Sequence, residues 1–327
     1  MDDLTKLFAG GSFWFLAASL CVAQRANDAN LKSLYAGHRW FELRDGVRQD
    51  GTSAFYQGAV ACAFNDVRRC ETELRDVFKH APRSDDAVEA HRILASAYFT
   101  HGRYRKALAQ VDAILALRPT DSDALGGRPV IAVVAKASDQ KITGRHTMVK
   151  LQDDGLQFSI HGVRVTYWFD TGAELSILSE SEAKRFGLPI QSASVQVGDV
   201  NGTQVQARIA TADELTIGSL RVRHVASLVF PDNQPPFDQL AHGSRGLIGL
   251  PVLLAFKTFT WGMEKTFEIG PASPLKSVPH ANLCFDGNHP LVQVAYDKRP
   301  LVFTLDTGAT NTDLLPAVCF GLPRTDS

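Results

Sequence analysis

Cysteine is scarce in this chain, with five among 327 residues and no Cys-x-x-Cys pair. That excludes a disulfide framework standing in for a hydrophobic core, and a cysteine-based zinc ribbon as well. Cys62 and Cys70 are close enough in sequence to bridge adjacent helices if the chain is exported, or to be small buried thiols at helix-packing positions, and both readings stay open. The ten histidines show no His-Glu-x-x-His or other ligand spacing, so no metal or other cofactor is expected. Charge of one sign is also missing. Lys plus Arg is 34, Asp plus Glu is 35, and the net charge is -1, so there is no electrostatic case for a nucleic-acid partner. Apolar residues make up 45% of the chain, which marks it as globular and long enough for two domains with sizeable cores.

Long apolar runs are missing too, apart from one near the N-terminus. From Leu7 to Ala23 the sequence carries no charge and closes on small residues before Gln24 and Arg25. It is short and rich in Gly and Ser for a membrane-spanning helix, and reads as a signal peptide over 1–23. Export to a periplasmic or extracellular location is expected, with retention of the segment as a membrane anchor as the alternative.

What the sequence does contain is a repeated tetrapeptide. Asp170, Thr171, Gly172 and Ala173 follow an apolar run in YWFDTGAELSIL, and Asp306, Thr307, Gly308 and Ala309 return in LVFTLDTGATNTDL. A chosen tetrapeptide is expected roughly once in 10^5 positions from average usage, so two copies in similar settings carry meaning. An apolar strand that ends in such a turn delivers a carboxylate to a tight loop, and Gly172 leaves room for substrate or for a neighbouring backbone. Two of these loops face to face would set two carboxylates together. Like charges at that distance cannot both ionise, so the pair shares a proton and serves as acid and base at one site. The hydroxyls of Thr171 and Thr307 suit hydrogen bonds that lock one loop to the other.

Asp-Thr-Gly-Ala after an apolar strand resembles the active-site loop of aspartic peptidases, and Ala in fourth place is closer to the retropepsin side of that clan. Gly246, Leu247, Ile248 and Gly249 resemble the apolar-apolar-Gly segment that passes beneath the catalytic loop. The resemblance implies peptide-bond hydrolysis by an Asp170 and Asp306 dyad with activated water, a protein or peptide substrate, and support of the loops by Ile248 and Gly249. It also implies a flap, for which the Asn201-Gly202 turn in QSASVQVGDVNGTQVQARIA is the candidate.

Ahead of this region the periodicity is helical. Leu31 to Val47 reads as one helix. Gly58, Cys70 and Pro82 then match Ala95, Ala107 and Pro119 at the same internal spacing, and the second copy adds Leu94, Tyr98, Gly102 and Tyr104. This resembles a tetratricopeptide repeat, which implies paired antiparallel helices over 24–120 and a protein partner on them. A turn-rich linker over 121–145 follows, in which PVIAVVAKAS reads as a strand. The fold class expected is therefore multidomain α plus all-β: helical repeats, a retropepsin-like β-barrel over 146–270, and the start of a second unit over 280–327.

Within the barrel, Leu156 to Ile160 and Val163 to Phe169 read as strands, Glu180 to Phe186 as a short helix, and Leu215 to Ile217, Leu220 to Val222 and Ala226 to Phe230 as further strands. In the second unit LVQVAYDKRPLVFTLDTGA repeats the strand, turn, strand and Asp of the first. The first unit runs on from Asp170 to Gly249, whereas the sequence reaches Ser327 soon after Asp306, so this unit is expected to be truncated. Two pairings follow: Asp170 with Asp306 in one chain, favoured by the second motif copy, or Asp170 with its copy in a homodimer. Glu174 stands where retroviral relatives carry Asp, with Thr310 in the second copy. A non-catalytic interaction protein with a degenerate peptidase region is the competing reading.

Overall fold

The computed structural model describes residues 29–48, 52–192, 194–198, 204–234, 237–262, 264–270, 281–309 and 311. The expected signal peptide and the Asn201-Gly202 turn lie outside them.

The described residues open with helix α1 (29–36) and α2 (Trp40–Gly46), where one continuous helix was expected. The break is a C-cap. His38 adopts a left-handed φ of 52°, and the amides of His38 and Arg39 turn back to the carbonyls of Tyr35 and Leu34. Two helical hairpins follow: α3 (Ala54–Ala63) with α4 (Val67–His80), and α5 (Asp85–Thr100) with α6 (Tyr104–Leu117). Each turn repeats the same cap, with Asn65 at φ 64° and Gly102 at φ 65° in the left-handed position. In α4 the buried residues Val67, Cys70, Leu74 and Val77 fall on one face, while Asp66 caps its start and Lys79 and His80 occupy its last turn. Gly58 is needed where α3 crosses α4, because a methyl group there would lie 2.5 Å from Leu74 Cδ2. Cys62 and Cys70 join α3 to α4 as a disulfide, which resolves the alternatives the sequence left open.

The stretch expected to be a turn and a strand forms α7 (Ser122–Val134). Asp121 accepts from the Ala124 amide at its start, and Val133 and Val134 are buried. Pro129 lies within it. Here packing against the neighbouring helix and the barrel outweighs the turn propensity of Gly126, Gly127 and Pro129.

The β-region runs β1 (Lys141–Thr143), β2 (Thr147–Lys150), β3 (Leu156–Ile160), β4 (Val163–Phe169), β5 (Ser176–Ser179), α8 (Glu180–Arg185), β6 (Val195–Gly198), β7 (Gln204–Ile217), β8 (Leu220–Phe230), β9 (Gly246–Ile248), α9 (Leu250–Ala255), β10 (Phe259–Trp261) and β11 (Thr266–Ile269). Strands β8, β5, β9, β4, β3 and β7 are paired in that order, and β7 pairs back onto β8, so the sheet closes into a barrel. Short strands were expected near 215–230; β7 and β8 are instead one long hairpin, because it must span the barrel and carry β6 at its far end. Alternation fills the interior. Leu156, Phe158 and Ile160 of β3 and Val165, Tyr167 and Phe169 of β4 point inward, while Arg164 and Trp168 face out. A second sheet, β2, β11 and β10, lies alongside. The helices are not a detached module: Tyr98, Tyr104 and Val134 share an apolar cluster with Leu175, Ile209 and Ala226 of the barrel.

A third sheet is formed by β12 (Leu283–Asp286), β13 (His289–Tyr296) and β14 (Arg299–Thr304). No helix among the described residues is long and apolar enough to cross a membrane.

One buried carboxylate secures the barrel. Glu182, 1% exposed, accepts from Tyr167 Oη at 2.6 Å and the Gly243 amide at 2.7 Å, and pairs with Arg185. Burial, then the Glu182 contact, raises the Tyr167 pKa. Replacing Tyr167 with Phe leaves Glu182 short of a donor and should lower stability by about 1–3 kcal/mol. An unchanged denaturation midpoint would show that the bond contributes nothing.

Candidate active site

Strand β4 runs parallel to β9 and leads into Asp170, whose amide donates to the Ile248 carbonyl at 2.8 Å. The Leu250 amide donates to Ala173 O at 2.9 Å, and the Gly249 amide to Ser176 Oγ at 3.1 Å. Gly249 therefore passes directly under the loop. A methyl group on it would lie 2.4 Å from the Leu175 carbonyl carbon, closer than real side chains approach backbone. The sequence singled out Ile248 and Gly249 but missed Ser176, whose hydroxyl is buried beneath the loop.

In the third sheet β14 leads to Asp306, and the two loops meet within one chain. Thr171 Oγ1 donates to the Leu305 carbonyl at 2.5 Å and accepts from the Thr307 amide at 3.1 Å. Reciprocally, Thr307 Oγ1 donates to the Phe169 carbonyl at 2.7 Å and accepts from the Thr171 amide at 3.1 Å. The carbonyls of Phe169 and Leu305 were also missed. The repeat held the clue, since each residue immediately precedes an Asp and so takes an equivalent place.

The same interlock sets each carboxylate against the opposite glycine. A methyl on Gly308 would lie 2.7 Å from Asp170 Cγ, and one on Gly172 3.0 Å from Asp306 Cγ. Each carboxylate also accepts from its own loop: the Gly172 amide donates to Asp170 Oδ1 at 2.7 Å, and the Gly308 amide to Asp306 Oδ1 at 2.9 Å. The pair is not symmetric. Asp170 is half-buried and Asp306 is exposed. Burial, then the charge of Asp306 and a hydrogen bond shared with it, raise the Asp170 pKa to about 6, against the opposing pull of the Gly172 amide.

Of the remaining sequence candidates, Ala309 ends the second loop, its amide donating to Asp306 O at 3.3 Å, and Glu174 is exposed beside the first. Strands β6 and β7, which flank the candidate flap turn, pair with Gly198 opposite Gln204. Among the described residues no group of three or more His, Cys, Asp or Glu is placed to hold a metal ion.

Comparison with known proteins agrees over the barrel. Residues 156–252 match the aspartyl protease family. Among solved structures the chain is similar to a retropepsin-like aspartic protease from Rickettsia conorii, at 15% identity and a TM-score of 0.29, the match covering 40% of this chain and 93% of that one. No curated protein matches. The stretch over residues 156–252, which helices precede, is thus similar to aspartyl proteases.

Proposed function

We propose that this chain is an aspartic endopeptidase whose dyad is Asp170 and Asp306 of the same polypeptide. The observation that carries this reading is the reciprocal Thr171 and Thr307 interlock, which brings the two carboxylates against each other's loops. Asp170 holds the shared proton and Asp306 is the base. Asp306 takes a proton from water, the water oxygen attacks the peptide carbonyl carbon, and Asp170 gives its proton to the carbonyl oxygen. The gem-diol then collapses: one hydroxyl returns its proton to Asp170 as the carbonyl re-forms, the C–N bond breaks, and the proton held by Asp306 goes to the leaving nitrogen. The Asn201-Gly202 turn would close over the peptide as a flap.

The uncharged Leu7 to Ala23 segment supports export, and the Cys62–Cys70 disulfide fits an oxidising compartment. The helical hairpins would serve protein contacts, and a homodimer is not needed to supply a second Asp.

The test is cleavage of a denatured protein mixture between roughly pH 3 and 7. Because Asp170 must be protonated, activity should fall as pH rises through about 6. Wild-type protein that cleaves nothing across this range overturns the reading in favour of a non-catalytic interaction protein. Activity that keeps rising through pH 7 overturns the assignment of Asp170 as the acid.

A further inference from the structure

Asp306 stands on a sheet that, among the described residues, has no barrel around it. By strand register, Val292, Val294, Leu301 and Phe303 occupy the places of Leu156, Phe158, Val165 and Tyr167 in the barrel. The barrel residues are buried, whereas Val294 is 40% exposed.

The opposite face of the sheet is held by the helices. Cys284 of β12 is fully buried in a cluster with Leu31, Leu43 and Ala59, and Leu291 of β13 packs against the same cluster. The turn between β12 and β13 reaches into the groove of the helical hairpins, beside a cavity of about 450 Å³. There Ser96 Oγ donates to Asn288 Oδ1 at 2.6 Å, and His38 Nδ1 lies 2.8 Å from Asp286 Oδ1. Arg44 Nη1 donates to the Ala281 carbonyl at 2.5 Å.

The grip falls at the end of the sheet that matters. His289 pairs with Asp286, Leu291 pairs with Thr304, and the Leu305 amide donates to Pro290 O at 2.8 Å. Asp306 is therefore attached to the gripped end, while the Asp297-Lys298 turn lies at the other.

We propose that the helical groove takes this chain's own β12–β13 turn as its ligand, and that Ser96 and His38, with the apolar cluster around Cys284, hold Asp306 against Asp170 as positioning residues. The inference rests on the peptidase reading for its consequence in rate, but not for its geometry. The helices complete the site from behind the sheet.

The test uses the full chain and two variants: Ser96→Ala combined with His38→Ala and Asn288→Ala, and separately Cys284→Asp, which places a charge in the buried cluster. Amide exchange at Leu305 and Thr307 should rise about tenfold, the loss of roughly one hydrogen bond's protection, while the β7–β8 hairpin stays protected. The Asp170 titration midpoint should fall from about 6 toward the ordinary carboxylate range as Asp306 draws away. If the wild type cleaves peptides, kcat should drop on the order of tenfold with KM little changed, and Ser96→Thr should retain most of the rate. Unchanged exchange and unchanged Asp170 titration in both variants overturn the inference. So does a separate protein that occupies the groove while the dyad stays paired. A wild type without peptidase activity sinks the peptidase reading alone, since exchange and titration still decide this one.

Discussion

Asp170→Asn should abolish cleavage, by roughly 10^2 to 10^4-fold, the range a positioned acid or base supplies. Asp306→Asn should do the same, because neither carboxylate can perform both proton transfers at once. The double variant should be little worse than either single one, since the two act as a unit. Asn at 170 can still accept the Gly172 amide at Oδ1, and the threonine interlock uses no carboxylate, so both variants should fold. Titration supplies an independent check. Asp170 has its pKa raised from 3.8 to about 6 by folding, so between those values the native state binds more protons than the unfolded one. Stability from this group is full below about pH 4 and declines as pH rises through about 6. Asp170→Asn should remove that decline and make the protein relatively more stable at neutral pH. Cleavage retained by Asp306→Asn but lost in Asp170→Asn would mean that two copies of Asp170 meet across a dimer axis.

The parts of the molecule that were legible in sequence are those governed by local chemistry. β3 and β4 fall where alternation put them, over Leu156–Ile160 and Val163–Phe169, because one side of each strand faces a core and the other does not. The paired Asp-Thr-Gly-Ala loops could be read because an identical loop recurs. What escaped depended on contacts between distant residues. The break at His38 is invisible to hydrophobic periodicity, which runs on unbroken from α1 to α2. α7 contains two glycines and a proline, and its helical state comes from Val133 and Val134 packing against neighbouring elements. The length of the β7–β8 hairpin, which was expected as shorter strands, follows from the need to span the barrel, which short-range patterns do not encode. The contact of the β12–β13 turn with the helical groove brings Cys284 together with Leu31, Leu43 and Ala59, residues more than 200 positions away that no local pattern links to it.

Thr307→Val should damage the protein more than Thr171→Val, although Thr307 is the more exposed of the two. Valine nearly matches threonine in shape, so neither change opens a cavity, and the cost comes from the groups left without partners. Removing the Thr307 hydroxyl orphans the Phe169 carbonyl and the Thr171 amide, which belong to buried residues of the barrel, 6% and 4% exposed. Removing the Thr171 hydroxyl orphans the Leu305 carbonyl and the Thr307 amide, which belong to half-buried residues of the loop that follows β14. Water can reach the second pair more easily than the first. An unsatisfied buried group costs about 1–3 kcal/mol, so Thr307→Val should lose about 2–4 kcal/mol of stability and Thr171→Val about 1–2 kcal/mol. Both should lower kcat on the order of 100-fold, because a loop released by an ångström no longer presents its carboxylate to the other. Ser at either position keeps the hydroxyl and should recover most of the rate. Denaturant midpoints and kcat for the four single variants give the comparison. Equal losses, or a larger loss for Thr171→Val, would show that the orphaned barrel groups find new partners, and full activity in either valine variant would mean that the interlock does not position the dyad.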